Sequence, residues 1–282
     1  MNIKIKAVRL SIFSNIALIL IKLGAGIMSG AVSILSEAIH SSMDLMAALV
    51  AYYSVKVSDT PADDEHPYGH GKFENVSGVV EALLIIVAAV WIIYEAIHKI
   101  FADTEIKSLG VSIMVMLISS IVNYFVSGRL SRVAKETGSV AIEADSLHLR
   151  TDVYTSAGVA VGLFLIWLTG RRVFDPVAAI LVALFILKEA YVLLRKAFLP
   201  LLDISWDLHD INRLEKIIAG FHVKFHGLKT RKSGNYRFVE FHIEMPEEMP
   251  LAEVHEICDK LEAAVVKEFK QTEISIHPEP VS

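Results

Sequence analysis

The sequence predicts an α-helical membrane protein with six transmembrane helices, followed by a small C-terminal cytoplasmic α+β domain, and three observations carry that prediction. Of the 282 residues 54% are hydrophobic and the mean hydropathy is +0.50, outside the range of an ordinary soluble domain. Six stretches are long and apolar enough to cross a bilayer, which takes roughly 20 residues each. From Asp203 the composition turns to that of a soluble domain, which sets the expected division at 1–202 and 203–282.

The six stretches are about 10–28, 31–57, 76–100, 109–130, 140–168 and 176–199. Lys4, Lys6 and Arg9 precede the first, whose apolar run is too long for a cleaved signal peptide and lacks a small-residue cleavage site, so it reads as a retained helix. It holds Asn15 and Lys22 and closes on Gly24-Ala25-Gly26, where small residues let another helix approach. Lys22 has no lone pair to offer a metal and is expected to snorkel or to meet a carboxylate. A short turn at Ser29-Gly30 leads into the second stretch. The third and fourth, with Trp91, Tyr94, Asn123 and Tyr124, carry little charge beyond Glu81 and Glu95 and read as scaffold. The basic connection 127–139 has no histidine-rich insertion; the sixth stretch opens on Pro176, a favoured first-turn residue, and closes on Arg195-Lys196.

Lysine and arginine mark the cytoplasmic side of a membrane protein. Lys4, Lys6, Arg9, Lys56, Lys72, Arg129, Arg132, Lys135, Arg195 and Lys196 fall on the side of the N-terminus, against Lys99, Lys107, Arg171 and Arg172 opposite. Both termini are therefore expected in the cytoplasm. The single cysteine, Cys258, excludes an intrachain disulfide and a multi-cysteine metal cluster. A net charge of -5 without a basic patch gives no footing for nucleic acid.

Against this apolar background the polar residues of the second and fifth stretches stand out. His40 and Asp44, and again His148 and Asp152, are four apart, so on a helix each pair shares one face. Intramembrane ionisable groups are expensive and are usually functional. Two imidazoles and two carboxylates are the donor count of a tetrahedral zinc site. A helix–helix hydrogen bond would account for one such pair, and two matching pairs make coincidence a poor explanation. Glu37 shares roughly the face of His40, as an exit-path acid or a partner for Lys22. Glu143 and Asp145, a turn or more before His148, are expected near the cytoplasmic mouth, where negative potential draws cations in. Arg150 should face away from the metal.

The loop 59–72 is dense in Asp, Glu, His, Pro and Gly, the last two ending the helix and shaping a compact turn. Asp63, His66 and His70 could hold a second zinc with a solvent ligand; a solvated acidic loop is the plain alternative. Beyond the membrane part, 208–219 has a helical pattern. The segments 222–231 and 237–245 alternate around Lys232-Ser233-Gly234-Asn235, a hairpin signal, 252–269 is an amphipathic helix and 273–277 a last short strand. One sheet face is left open for pairing with another copy. His226, His242, His255 and His277 lie far apart in sequence, so any site they form is assembled by the fold, and surface histidine is the plain alternative.

With the two His-x-x-x-Asp pairs, the run Pro61-Ala62-Asp63-Asp64 through His66, Gly69-His70-Gly71-Lys72 and the C-terminal histidines, the chain resembles the cation diffusion facilitator family of divalent-metal exporters. It is similar above all to the bacterial zinc and iron efflux members, over essentially its whole length. That resemblance implies a homodimer in the inner (plasma) membrane, each protomer having six helices and a ferredoxin-like, metallochaperone-like cytoplasmic domain for metal binding and dimerisation. It implies a transport site at His40, Asp44, His148 and Asp152, a loop site at Asp63, His66 and His70, and a cytoplasmic zinc cluster at His226, His242, His255 and His277. Glu279 stands where some members carry an aspartate ligand, and Lys72 with Asp203 matches an interprotomer or membrane-edge ion pair. Histidine at position 40, where other bacterial members have aspartate, resembles the zinc-preferring branch.

The donor set suits Zn²⁺, whereas Mg²⁺ or Ca²⁺ would ask for more oxygens. Binding needs neutral histidine and ionised aspartate, so metal entry displaces protons, and histidine titrates near cytoplasmic pH. The expectation is outward Zn²⁺/H⁺ antiport by alternating access, with zinc in the cytoplasmic domain bridging protomers and favouring the active transporter. Fe²⁺, Mn²⁺, Co²⁺ or Cd²⁺ as main cargo, and a zinc sensor or scaffold that transports nothing, are the rivals. An intramembrane metalloprotease would carry His-Glu-x-x-His, which the sequence lacks, so no enzyme is expected.

Overall fold

The computed structural model describes residues 3–29, 32–101, 110–170 and 173–281. Gly30, Lys107, Arg171 and Arg172 lie outside the described residues, as does the side chain of Glu37. Six long helices come first: α1 (Ile3–Ser29), α2 (Val32–Ser58), α3 (Lys72–Phe101), α4 (Gly110–Thr137), α5 (Val140–Thr169) and α6 (Phe174–Phe198). Among the described residues four of these, α1, α3, α4 and α6, are long and apolar enough to span by composition alone. The other two, α2 and α5, carry the His-x-x-x-Asp pairs. The protein therefore has a helical transmembrane domain.

The chain forms two compact units, one of Met1–Thr60 with Phe73–Phe198, the other of Pro61–Lys72 with Leu199–Ser282. In the first, α1 packs on α2 and α4, α4 on α5, and α5 on α2 and α6. The seams are lined by small residues, with Ala7, Ala51, Ala134 and Ala141 around Val8, Leu130, Ile142 and Leu149. Without a hydrophobic force between helices in lipid, such close approach is what dispersion requires. Phe13, Leu20, Trp91, Phe125 and Leu181 point outward and are exposed, as lipid-facing residues are.

Buried polar groups tie the helix ends together. Glu74, at the start of α3, accepts from Lys4 Nζ of α1 and Ser58 Oγ of α2, both at 2.8 Å on Oε1. Its Oε2 accepts from Ser139 Oγ, just before α5, at 2.5 Å. Lys4 is thus an internal charge rather than part of a free basic terminus. Lys22 does not snorkel: it is 4% exposed and its ammonium donates to Ser41 Oγ at 2.8 Å, joining α1 to α2.

The second unit holds a 3₁₀ turn (Leu199–Leu202), α7 (Leu208–Ala219), β1 (Lys224–Ser233), β2 (Tyr236–Met245), α8 (Leu251–Glu268) and β3 (Thr272–Pro280). This is a small α+β sheet domain. Asp207 caps α7 by accepting from the Asp210 N–H, and that bond holds its carboxyl below the usual range. The sheet order is β1-β2-β3, with β1 antiparallel and β3 parallel to β2. A parallel return needs a crossover, which α8 supplies. Val239, Phe241, Ile243 and Met245 alternate inward along β2 to meet Leu214, Ile218, Leu261 and Val265 of the helices, leaving the opposite sheet face uncovered by them. The hairpin turns at Gly234-Asn235, where Gly234 has a φ of +57°. β3 runs to Pro280 instead of ending at His277, because its parallel register continues along β2 to Met245.

The segment Pro61–Lys72 belongs to this unit. Tyr68 meets Phe238 edge-on at 5.4 Å, and the Arg231 guanidinium lies 4.3 Å from both ring centres, a cation–π clamp. Lys72 Nζ is 2.9 Å from Asp203 Oδ1, with Arg231 at 3.7 Å from the same oxygen. The pair that the resemblance offered as interprotomer or membrane-edge forms within this chain, where the segment lies against the strands that follow Asp203.

Candidate metal centres

Helical spacing brings the members of each pair to one face, and the packing of α2 on α5 brings the faces together. His148 Nε2 lies 2.9 Å from Asp44 Oδ1; His40 Nε2 lies 3.9 Å from the same oxygen and 3.8 Å from Asp152 Oδ1. His40, Asp44 and Asp152 each place a donor atom within 4.8 Å of the others, and His148 joins through Asp44. Donors around a tetrahedral zinc at 2.0–2.1 Å stand about 3.3 Å apart, so the observed separations suit such an ion with small side-chain shifts. Asp44 is 4% exposed, so its carboxyl is buried against the histidine.

Three residues that sequence reasoning gave to scaffold or to the mouth behave differently. Asn123 of α4 donates from Nδ2 to Asp152 Oδ2 at 3.2 Å, and Glu81 of α3 is a carboxylate only 1% exposed. Asp145 is also 1% exposed and accepts from Ser11 Oγ at 3.1 Å, which makes it an internal tie between α5 and α1 and no surface lure. Glu143 stays near the surface, but Lys196 at 2.5 Å answers its charge. An asparagine or carboxylate inside an apolar stretch was the available signal for all three.

The second cluster is local. Asp63 Oδ1 accepts from the backbone N–H groups of His66 at 2.7 Å and Glu65 at 3.1 Å, an Asx turn, and the His66 bond above all holds the carboxyl below its usual range. His66 Nδ1 and His70 Nε2 each lie 3.4 Å from an Asp63 oxygen, and the two rings are 4.4 Å apart. Gly69, with a φ of +75°, makes the reversal that brings His70 back.

The third lies on the outer face of the sheet. His226 opposes His242, and His242 opposes His277, so the register lines three imidazoles in a row with ring centres 5.1 and 5.0 Å apart. Glu279, two residues on along β3, reaches all three: 2.6 Å to His242 Nδ1, 3.4 Å to His226 Nε2 and 3.7 Å to His277 Nε2. The His242 bond is the main reason its carboxyl sits below the usual range. His226, His242 and Glu279 meet the distance test for one ion. Glu244, not singled out from the sequence, adds a carboxylate 3.9 Å from His226 Nδ1. His255 does not join the row: it sits on the exposed side of α8 beside Asp259, at 3.8 Å.

Comparison with known proteins finds two matching family descriptions. The cation efflux transmembrane domain matches residues 8–202, and the cation efflux protein cytoplasmic domain matches residues 207–281. The uncharacterised transporter sll1263 of Synechocystis sp. is 34% identical over 275 residues, covering 96% of this chain and 89% of its own. The cation-efflux pump FieF of Salmonella newport is 32% identical over 274 residues, covering 94% of this chain and 89% of its own. A solved zinc-form structure of CzrB is 33% identical, spans 28% of this chain and 92% of its own, and superposes with a TM-score of 0.26.

Proposed function

Since the chain belongs to the cation efflux family, whose two domain descriptions together account for residues 8–202 and 207–281, we propose that it exports Zn²⁺ from the cytoplasm in exchange for protons. It works as a homodimer with both termini in the cytoplasm. The observation that carries this reading is the meeting of two imidazoles and two carboxylates from α2 and α5 at separations of 2.9–3.9 Å inside the membrane domain.

His40, Asp44, His148 and Asp152 hold the ion. The bond between His148 Nε2 and Asp44 Oδ1 needs a proton between them, and zinc needs both atoms bare. Cation and proton therefore compete for the same lone pairs, which is the elementary requirement for exchange. Entry of zinc from the cytoplasm releases the proton; a proton arriving from the far side restores the bond and expels the ion. Access alternates by movement of helices about the fixed site. Softness favours zinc over magnesium or calcium, since half of the donors are nitrogen.

The loop cluster at Asp63, His66 and His70 and the sheet cluster at His226, His242, His277 and Glu279 take zinc from the cytoplasm when its level rises. Their occupation stabilises the active dimer, with His255 as a further ligand in the assembled protein. Reconstitution in liposomes containing a zinc dye and a pH dye tests the central claim. Zinc flux with opposed proton flux, both lost in Asp152→Ala, is the expected result. Transport that survives that substitution sinks the site, and zinc binding without any flux in the natural protein turns the reading to a sensor.

A further inference from the structure

Asn123 is 4% exposed on α4, in the middle of the membrane domain, and an amide there needs partners for both ends. Only one end has one. Its Nδ2 donates to Asp152 Oδ2 at 3.2 Å, while its Oδ1 is buried with no hydrogen-bond partner among the described residues. The position is held firmly, because Val122 and Val126 on either side pack into the cluster that fastens α4 to Leu149 of α5. A residue carried so rigidly, with a single bond directed at one carboxylate oxygen, acts on that oxygen.

The two oxygens of Asp152 are thereby given different tasks. Oδ1 faces His40 Nε2 at 3.8 Å, and Oδ2 is occupied by the amide. A carboxylate so divided offers a metal one oxygen. With one oxygen from Asp44 and two imidazole nitrogens the total is four, the number that suits zinc. With Oδ2 released, Asp152 can bind through both oxygens, raising the count and the oxygen share toward what Mn²⁺ accepts more readily.

We infer that Asn123 is a positioning residue that keeps Asp152 monodentate and so sets the coordination number, and with it the zinc preference, of the transport site. This rests on the transport-site reading above. It places a selectivity determinant on a helix that contributes no ligand.

The test uses the full-length protein carrying His66→Ala, His70→Ala, His226→Ala, His242→Ala and His277→Ala, so that Co²⁺ absorption reports the membrane site. In this background Asp152→Ala must abolish the intense visible bands of four-coordinate Co²⁺; if the bands persist, the transport-site reading itself fails. Asn123→Leu and Asn123→Ala are each expected to weaken the bands, as a rise in coordination number does. In liposomes both should shift the ratio of KM for Zn²⁺ to KM for Mn²⁺ by roughly tenfold toward manganese, the size of effect seen when an outer partner of a metal ligand is removed. Asn123→Gln, which keeps an amide donor, should retain the four-coordinate spectrum. A spectrum and KM ratio unchanged in the Leu and Ala variants overturn the inference. So does an equal loss of both metals in all three variants, which would make Asn123 a helix tie and nothing more.

Discussion

Replacing Glu74 with Ala should be among the most damaging single changes in the membrane domain. It removes the carboxylate on which Lys4, Ser58 and Ser139 converge, at 2.8, 2.8 and 2.5 Å. The Lys4 and Glu74 side chains are 7% and 5% exposed, so solvent can do little for whichever charge is left. Asp59 stands 3.7 Å from the ammonium, but it is 36% exposed and a weak substitute. Counting three bonds to a charged group at about 1.5–3 kcal/mol each overshoots, because they share one carboxylate and are lost together. The measured cost of breaking one buried pair, about 3–5 kcal/mol, is the better guide. At about 2–4 °C per kcal/mol for a domain of this size, Tm should fall by roughly 6–20 °C. Thermal unfolding of the detergent-purified protein, followed by tryptophan fluorescence, reads this directly. Lys4→Met combined with Glu74→Met removes both charges and should recover most of the loss, to within about 1 kcal/mol of the natural protein. If Glu74→Ala shifts Tm by less than about 3 °C, or the double variant is as unstable as the sum of the singles, the ion-pair reasoning is wrong.

Other consequences can be measured alongside. His40→Asp exchanges a nitrogen donor for oxygen and should broaden the cargo toward Mn²⁺ and Fe²⁺, read as the ratio of fluxes in liposomes. A Cβ on Gly71 would collide with the Ser233 carbonyl, so Gly71→Ala should loosen the segment Pro61–Lys72 and speed its cleavage in limited proteolysis. For Glu279 the sign is that of a lowered carboxyl: its contribution is full above the unfolded value near 4.5 and is lost only as pH falls through the lower folded value. Acidification from pH 7.5 to 5.5 therefore leaves Glu279 ionised, and on the proposed zinc-binding reading no release of zinc from the sheet cluster in that range should run through this carboxylate. A chelator titration comparing the natural protein with Glu279→Gln checks this: both should release zinc over the same pH range, and a shift of that range would assign the release to the carboxylate.

What could be read from the sequence was what a single element dictates. The spacing of His40 to Asp44 and of His148 to Asp152 fixes a shared helix face, and the turn residues around Asp63 and Gly69 fix a compact loop. The α7, hairpin and α8 patterns were legible for the same reason, with ends within about two residues. What escaped depends on which element meets which. Nothing local says that Asn123 lies across from Asp152, or that Glu74 gathers Lys4, Ser58 and Ser139. Charge and a place one turn before His148 point Asp145 to an open mouth, whereas the packing of α1 against α5 buries it.

The row of three histidines has a consequence for how the domain reaches its final form. The pairing of His226 with His242 follows from a hairpin, but His277 arrives only when β3 has crossed over α8 and docked in parallel. A slip of β3 by one residue would put Ile276 or Pro278 opposite His242 and turn the imidazole to the far side of the sheet. On the proposed zinc-binding reading, an ion captured by the full row would favour one register over its neighbours, acting as a proofreader of strand alignment and adding its binding energy only to chains that have folded correctly.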